Sequence, residues 1–366
     1  MNFLRSVLGR YLIARALTGI GIAFAAVSAT ILFVDLVEQF RNAGLNEVVP
    51  ISEALRLTLL RAPMLIEQTM PFIVLAGVMI STIRLNQSSQ LIALRASGVS
   101  AWRFLLPSTM CAALLGVLVI TALNPLGALL YTRFEAERAR LESANRQVSL
   151  RNGLWIRQGD ANGQIVIHAA SIQPGGTNLS DATFLFFDER DGTLRFSRRI
   201  QAEAAVLRPG FWQLRDLVEA APGEQPVRQA NLAIPTDLHP NEVLDRFVRP
   251  ETLSFWQLPG FIHNAQQAGL APVSYELKWQ NLLAYPLMLA AMAALGAVFS
   301  LRLQRLGQVA QWGAAGVGLG LSLFFLSRLA GTFAIAQAVP PGLAAWSAPL
   351  TGVFTALAIV AFLEDG

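Results

Sequence analysis

The chain has 366 residues, of which 54% are hydrophobic and 14% charged, with a net charge of +4 and a mean hydropathy of +0.47. Soluble domains carry about 25% charged residues, so a soluble enzyme and a disordered chain are both excluded. Apolar runs gather at the two ends around a polar middle, the layout of an integral membrane protein. The base is almost all arginine, with Lys278 the one lysine. These arginines are scattered or flank apolar segments, which fits coding bias and not nucleic-acid binding. Cys111 is the single cysteine and lies in an apolar run, so no intrachain disulfide is possible.

A helix needs about 20 apolar residues to cross a bilayer. Six segments qualify: Ala16–Val34, Met64–Ile83, Phe104–Leu123, Leu282–Leu301, Ala314–Ala336 and Ala344–Leu363. The first is longer than the apolar stretch of a signal peptide and lacks a convincing cleavage site, so it reads as a retained anchor. The N-terminal tail (Arg5, Arg10), the second loop (Arg84, Arg95, Arg103) and the fourth loop (Arg302, Arg305) are basic. The first loop mixes acids with arginines, and the fifth is uncharged. The positive-inside rule then puts both termini in the cytoplasm and the insert between spans three and four outside.

That insert opens with a strong helix former, Tyr131–Gln147, which extends span three. Short alternating runs follow (GLWIRQ, GQIVIHAASI, ATFLFFDE, GTLRFSRR, FWQLRDLVEA), punctuated by Asp160-Ala-Asn-Gly163, Pro174-Gly175-Gly176 and Asp191-Gly192. They predict an antiparallel sandwich or a curved open sheet. A helical stretch, Leu253–Gly269, leads back to span four. The expected plan is residues 1–123 as spans one to three with a cytoplasmic helix at about 85–98, residues 124–280 as the external β-domain with flanking helices, and residues 281–366 as spans four to six.

The chain contains no G-x-x-x-x-G-K-[ST] phosphate loop, no metal-ligand spacing among His168, His239 and His263, and no G-x-S-x-G elbow. No enzymatic activity, metal or cofactor is expected in this chain. The second loop is the most informative segment. Leu91, Ile92, Leu94 and Val99 give it an apolar helical face, Gln90 and Arg95 lie near the opposite side, and Gly98 supplies a left-handed cap. Such a helix lies on lipid or packs on its own bundle, or it docks into a cytosolic partner.

Gln90-LIALRASGVS resembles the coupling-helix segment of the LptF/LptG permeases, the membrane subunits of the lipopolysaccharide-export ABC transporter. The resemblance spans essentially the whole chain: Phe33-Val-Asp35 ending span one, Asn124-Pro125 ending span three, Gly153-Leu-Trp155 opening the β-domain, Leu253-Ser-Phe-Trp and Tyr275-Glu-Leu before span four, and Pro340-Pro341 between spans five and six. The Gly-Leu-Trp and Pro-Pro features look more like the LptG branch than the LptF branch.

The resemblance implies six transmembrane helices (3+3) with an inserted periplasmic all-β jelly-roll-like domain, in the inner membrane of a Gram-negative bacterium. It implies an LptF-type permease as heterodimer partner, an LptB-type ATPase dimer that holds the ATP and magnesium, an LptC-type single-span subunit and an LptA-type periplasmic bridge. Lipopolysaccharide would enter between spans one and five of the partners. ATPase coupling would fall to Gln90, Leu91, Leu94, Arg95 and Gly98. The family usually has Glu where Gln90 stands, which leaves Arg95 as the alternative polar contact. It often has Lys where Leu32 stands, which shifts phosphate binding to Arg41 and Arg133; interfacial snorkelling is the other reading of both. Arg328 in span five either meets the substrate headgroup, pairs with Glu67 or snorkels. Gly21 with Ala25, and Gly316 with Gly320, serve either ordinary helix packing or a moving gate. Ile167 and Phe186 either fill a closed β-core or line a groove for acyl chains. Two further functions stay open: an envelope scaffold whose β-domain binds another protein, and a permease for another lipidated envelope substrate.

Overall fold

The computed structural model describes residues 7–43, 51–145, 154–160, 163–172, 178–190, 193–208, 210–223, 225–236, 249–267, 271–301 and 309–365. The helices are α1 (Val7–Ala43), α2 (Ile51–Gln87), α3 (Gln90–Ala96), α4 (Ala101–Leu118), α5 (Asn124–Asn145), α6 (Leu258–Gln267), α7 (Val273–Leu301), α8 (Val309–Ile335) and α9 (Pro341–Asp365). Six helical stretches are long and apolar enough to cross a membrane, and the six expected spans fall within them to within one residue. Arg5, Glu47, Arg302 and Arg305, which carried part of the loop-charge argument, lie outside the described residues, as do Gly153 and the Pro174-Gly175-Gly176 turn.

The helix does not stop at Asn124-Pro125, where the expected apolar span ends. Proline has no N–H, and its ring crowds the carbonyl four residues back. The chain widens there into a π turn, Val119–Leu123, and the Asn124 N–H donates to the Val119 carbonyl. The helix then runs on through α5, as the polar sequence of Tyr131–Gln147 implies.

The chain divides into two compact units, residues 1–139 with 251–259 and 273–366, and residues 140–250 with 260–272. The helical end of the expected 124–280 insert therefore belongs partly with the helical unit. In that unit α2 is central. Ile73, Val74, Leu75 and Val78 are at most 2% exposed, in packing that reaches α1, α7 and α8. Two close approaches set the helix spacing: a Cβ on Gly19 would collide with the Gly77 carbonyl oxygen, and one on Gly116 would meet Pro286 Cα at 2.6 Å.

The second unit is one antiparallel sheet in sequence order: β1 (Leu154–Asp160), β2 (Gly163–Ile172), β3 (Asn178–Arg190), β4 (Thr193–Arg208), β5 (Phe211–Ala220) and β6 (Val227–Pro235). The described strands form a meander, each pairing with its neighbours in sequence, in keeping with the all-β insert expected from the sequence. Cross-strand rows build its core, such as Ile167↔Phe184↔Ile200 and Leu207↔Trp212↔Ile234. Between these rows runs a line without ladder pairs: Ala170, Asp181, Glu203, Asp216 and Ala230. Asp181 and Asp216 sit there at φ 50° and 49°, the left-handed region that Asp tolerates better than most residues. The buried positions change parity across the line, from Ala182 and Phe184 to Leu179 in β3, from Ile200 and Ala202 to Ala205 and Leu207 in β4, and from Leu217 to Leu214 and Trp212 in β5. The extra residue in each strand along this line lets the buried side chains on both sides join one apolar cluster.

Candidate coupling and translocation sites

The segment expected to couple to an ATPase is built in three pieces. Helix α2 ends at Gln87, where the Ser88 hydroxyl donates to the Arg84 carbonyl at 2.9 Å, and Ser89 turns the chain at φ 58°. Helix α3 follows, and Gly98 at φ 81° reverses the chain while the Val99 N–H closes on the Leu94 carbonyl. Ser100 then caps α4, accepting from the Arg103 N–H. A seven-residue helix is too short to hold its shape in isolation, and here the apolar face anchors it. Leu91 is 4% exposed in the main helical core, and Leu94 packs against that core. Of the readings of this face, self-packing is the one observed. Leu91 is buried in its own bundle and Leu94 is half-buried against it.

Gln90 has a partner that sequence reading missed. Its Oε1 accepts from the Tyr11 hydroxyl at 2.7 Å, and the same hydroxyl accepts from Arg15 Nε at 2.9 Å. The short helix is thereby tied to α1, 79 residues away. Gly98 is exposed; the side chain of Arg95 lies outside what the structure describes.

The first and fifth spans share one property. Within their apolar windows 22% and 17% of residues are buried, against 39–61% in the other four. Phe33, Val34 and Val37 of α1, and Phe325, Leu329 and Phe333 of α8, are all at least 49% exposed. Gly21 and Ala25 lie on the exposed side of α1, and nothing stands within 4 Å of a Cβ on Gly21. The glycine that brings α1 against α2 is Gly19, half a turn away. Gly316 and Gly320 differ: their added Cβ atoms would meet Phe299 at 3.3 Å and Leu75 at 3.0 Å. They serve packing within this chain.

Arg328 is exposed on α8 and lies over the Phe324 ring at 5.2 Å, which meets Phe72 edge-on. Pairing with Glu67, one of the three readings of Arg328, is not formed, and Glu67 is engaged elsewhere. Asn124 Nδ2 donates to both Glu67 carboxylate oxygens at 3.1 Å, and the Tyr285 hydroxyl donates to the Glu67 backbone carbonyl. Asn124 Oδ1 accepts from the Phe255 N–H at 2.8 Å, and Lys278 Nζ donates to the Leu253 carbonyl at 2.8 Å. These contacts clamp the Leu253-Ser-Phe-Trp segment to the helix ends. The charge inside span two is thus explained by a partner 57 residues on in sequence.

At the same end of the bundle, Asp35 of the Phe-Val-Asp segment is 4% exposed and accepts from Arg61 Nη1 at 2.8 Å; Arg61 also lies over Phe134 at 5.9 Å. Arg61 was not singled out from the sequence, where Asp35 had several arginines within reach. Arg41 and Arg133, the expected phosphate binders, are both exposed, and Arg56 pairs with Glu137 at 3.3 Å.

In the sheet, Ile167 is 1% exposed inside the core. Phe186 is half-buried beneath Arg198, whose guanidinium lies 4.4 Å from its ring centre and pairs with Glu219. The two expected acyl-chain contacts therefore differ: Phe186 borders the surface, whereas Ile167 fills the interior.

Comparison with known proteins adds two findings. Residues 10–363 match the family described as lipopolysaccharide export system permease LptF/LptG. The chain is also similar to the lipopolysaccharide export system permease protein LptG of Haemophilus influenzae, 23% identical over 342 residues, covering 92% of this chain and 90% of that protein. Six apolar helices, an all-β insert and a family match over nearly the whole length agree: the chain belongs to the lipopolysaccharide export permease family LptF/LptG and resembles its LptG members.

Proposed function

We propose that this chain is an LptG-type subunit of an ABC transporter that extracts lipopolysaccharide from the inner membrane and passes it to a periplasmic bridge. The observation that carries the reading is the pair of open flanks on spans one and five. In a bilayer protein these are the faces left for another helix bundle or for a lipid substrate. An LptF-type permease closes the pair of flanks into a shared passage, and exposed Arg41 and Arg133 near its outer end suit bidentate phosphate contacts. Arg328, on the open flank of span five, is placed to meet a headgroup that enters there.

ATP hydrolysis belongs to an LptB-type dimer docked at α3, with Arg95 as the polar contact, since Gln90 is held by Tyr11. That hydrogen bond gives α3 a direct hold on span one, so a movement of α3 shifts the population of span-one positions. An LptC-type single-span subunit and an LptA-type bridge complete the assembly. Both termini face the cytoplasm and the sheet faces the periplasm, as the loop charges require. The groove role is assigned to the sheet, with half-buried Phe186 at the border of its apolar face and Ile167 deeper in it.

The test is purification from native membranes in mild detergent, with proteins and lipids identified by mass spectrometry. Recovery of a phosphate-loop ATPase, a second six-span permease and lipopolysaccharide is expected, and Arg95→Glu should lower the ATPase yield while leaving membrane insertion intact. A chain that purifies alone with bulk phospholipid, under conditions that preserve other ABC complexes, refutes the proposal and favours a scaffold.

A further inference from the structure

Between α1, α2 and α3 lies a cavity of about 150 Å³ that the proposed transport cycle does not use. Gly19, Ser81 and Leu85 form its buried floor; Arg15, Thr18, Arg84 and Ser88 stand exposed at its rim beside the half-buried Gln90. One water needs about 10–15 Å³ of such space, so the cavity has room for a tetrahedral oxyanion.

The lining offers donors and no compensating anion. Because the Tyr11 hydroxyl accepts from Arg15, its own proton goes to Gln90 Oε1, and the Gln90 amide nitrogen keeps its two hydrogens for other use. Among the described residues, the terminal nitrogens of Arg15 and the whole Arg84 guanidinium have no hydrogen-bond or ion-pair partner. The sequence has no Asp or Glu from Met1 to Val34 or from Gln68 to Phe134, so this end of the three helices supplies no carboxylate. Two guanidinium groups therefore stand around one cavity whose lining residues supply no anion.

We propose that the cavity binds the phosphate of an anionic phospholipid headgroup, from the leaflet at the α3 end of the bundle. A free phosphate would satisfy the arginines equally, but the surroundings favour a lipid. One turn beyond Thr18 the exposed face of α1 continues into Ile22, with Leu17 and Phe24 alongside, 37–44% exposed. A headgroup seated at Arg15 and Arg84 lays its acyl chain along that apolar stripe. Basic pockets between helix ends are a usual seat for such headgroups, and the guanidinium fork matches two phosphate oxygens. The occupied site joins α1 and α2 to α3 through Arg15, Arg84 and Gln90, so the lipid stiffens the joint between the coupling segment and span one. This assignment rests on the chain being embedded in a bilayer; it does not depend on which cargo is moved.

The test counts lipid on the full chain, stripped of endogenous lipid in detergent and titrated with phosphatidylglycerol under native mass spectrometry. Wild type should retain one phosphatidylglycerol per chain, and Arg84→Gln should bind it about tenfold more weakly, as expected for loss of a charge-assisted contact. Arg84→Lys, which keeps the charge, should fall between them. Arg103→Gln, which removes an exposed arginine outside the cavity lining, should match wild type. Equal retention by Arg84→Gln and wild type overturns the site, as does an equal loss in Arg103→Gln. Displacement of the retained lipid by millimolar inorganic phosphate as readily as by phosphatidylglycerol overturns the assignment to a lipid. The count is made on the chain itself, so it stands or falls whether or not an ATPase co-purifies.

Discussion

Asn124 holds together the end of the bundle from which the chain leaves for the sheet, and Asn124→Ala measures how much that clamp is worth. The side chain is 3% exposed and makes contacts in two directions, to the Glu67 carboxylate and from the Phe255 N–H. The two 3.1 Å bonds to Glu67 come from one amide nitrogen and count as a single contact. Hydrogen bonds between membrane helices average about 0.6 kcal/mol and reach about 1.7, because helices separated in the bilayer find other partners. The Phe255 N–H loses its acceptor at a part-buried position once Asn124 is gone, and a donor left unmet away from water costs about 1–3 kcal/mol. Together the loss is about 2–4 kcal/mol, with the greater part at Phe255. Thermal unfolding in nanodiscs gives the total, and hydrogen exchange at the Phe255 amide gives the local part. Asn124→Asp separates the two: it retains an acceptor for Phe255 while setting a second carboxylate beside Glu67. It should lose stability with the Phe255 amide still protected, whereas Asn124→Ala should lose both. An Asn124→Ala protein within about 0.5 kcal/mol of wild type, with Phe255 equally protected, would refute the clamp.

Three more outcomes follow from contacts described above. Arg61→Ala leaves the buried Asp35 carboxylate without its cation and should cost about 3 kcal/mol, the low end for a broken buried pair because Arg61 is 29% exposed; Asp35→Leu with Arg61→Leu should recover most of it, as read by thermal unfolding. Gly77→Ala drives a Cβ into the Ile20 backbone and should destabilise by about 1–3 kcal/mol. Gly21→Ala meets nothing within 4 Å and should be neutral or slightly stabilising; a reversed order in a melting experiment would disprove the crossing point. Tyr11→Phe removes the hydroxyl that links Gln90 to Arg15 and should leave assembly intact while lowering substrate-stimulated ATP hydrolysis about 2- to 5-fold, the scale of one hydrogen bond in a coupling energy. Unchanged stimulation would show that α3 acts on span one by another route.

What could be read in advance follows from the range of each force. Hydropathy is local, so the six spans and the all-β insert are visible in the sequence. Helical phase in a span that is apolar all round is not local, which is why the small-residue spacing at Gly21 and Ala25 drew attention while Gly19 makes the contact. Asp35 pairs with Arg61 and not with a nearer arginine because the register of α1 against α2 decides the matter. The contact of Gln90 with Tyr11 was not visible because the two lie 79 residues apart. The apolar face of α3 was legible as a face, but a pattern of leucines is the same whether it meets lipid, a partner or its own bundle. The continuation of the helix beyond span three was legible from the helix-forming run after Tyr131, but the π turn at Val119–Leu123 before Pro125 was not, because hydropathy carries no sign of a widened turn.

The unpaired line across the β-sheet limits how this domain can change length. On either side of it the inward positions have opposite parity, so one residue lost from β3, β4 or β5 near Asp181, Glu203 or Asp216 would turn half a strand inside out. A residue added at a hairpin tip moves no strand relative to the line and leaves the core untouched. Insertions and deletions among relatives should therefore gather in the hairpins, while the five strands that cross the line keep a common count on both sides. Alignments at low identity gain from this: a gap placed within one strand alone describes a sheet that could not close over its own core.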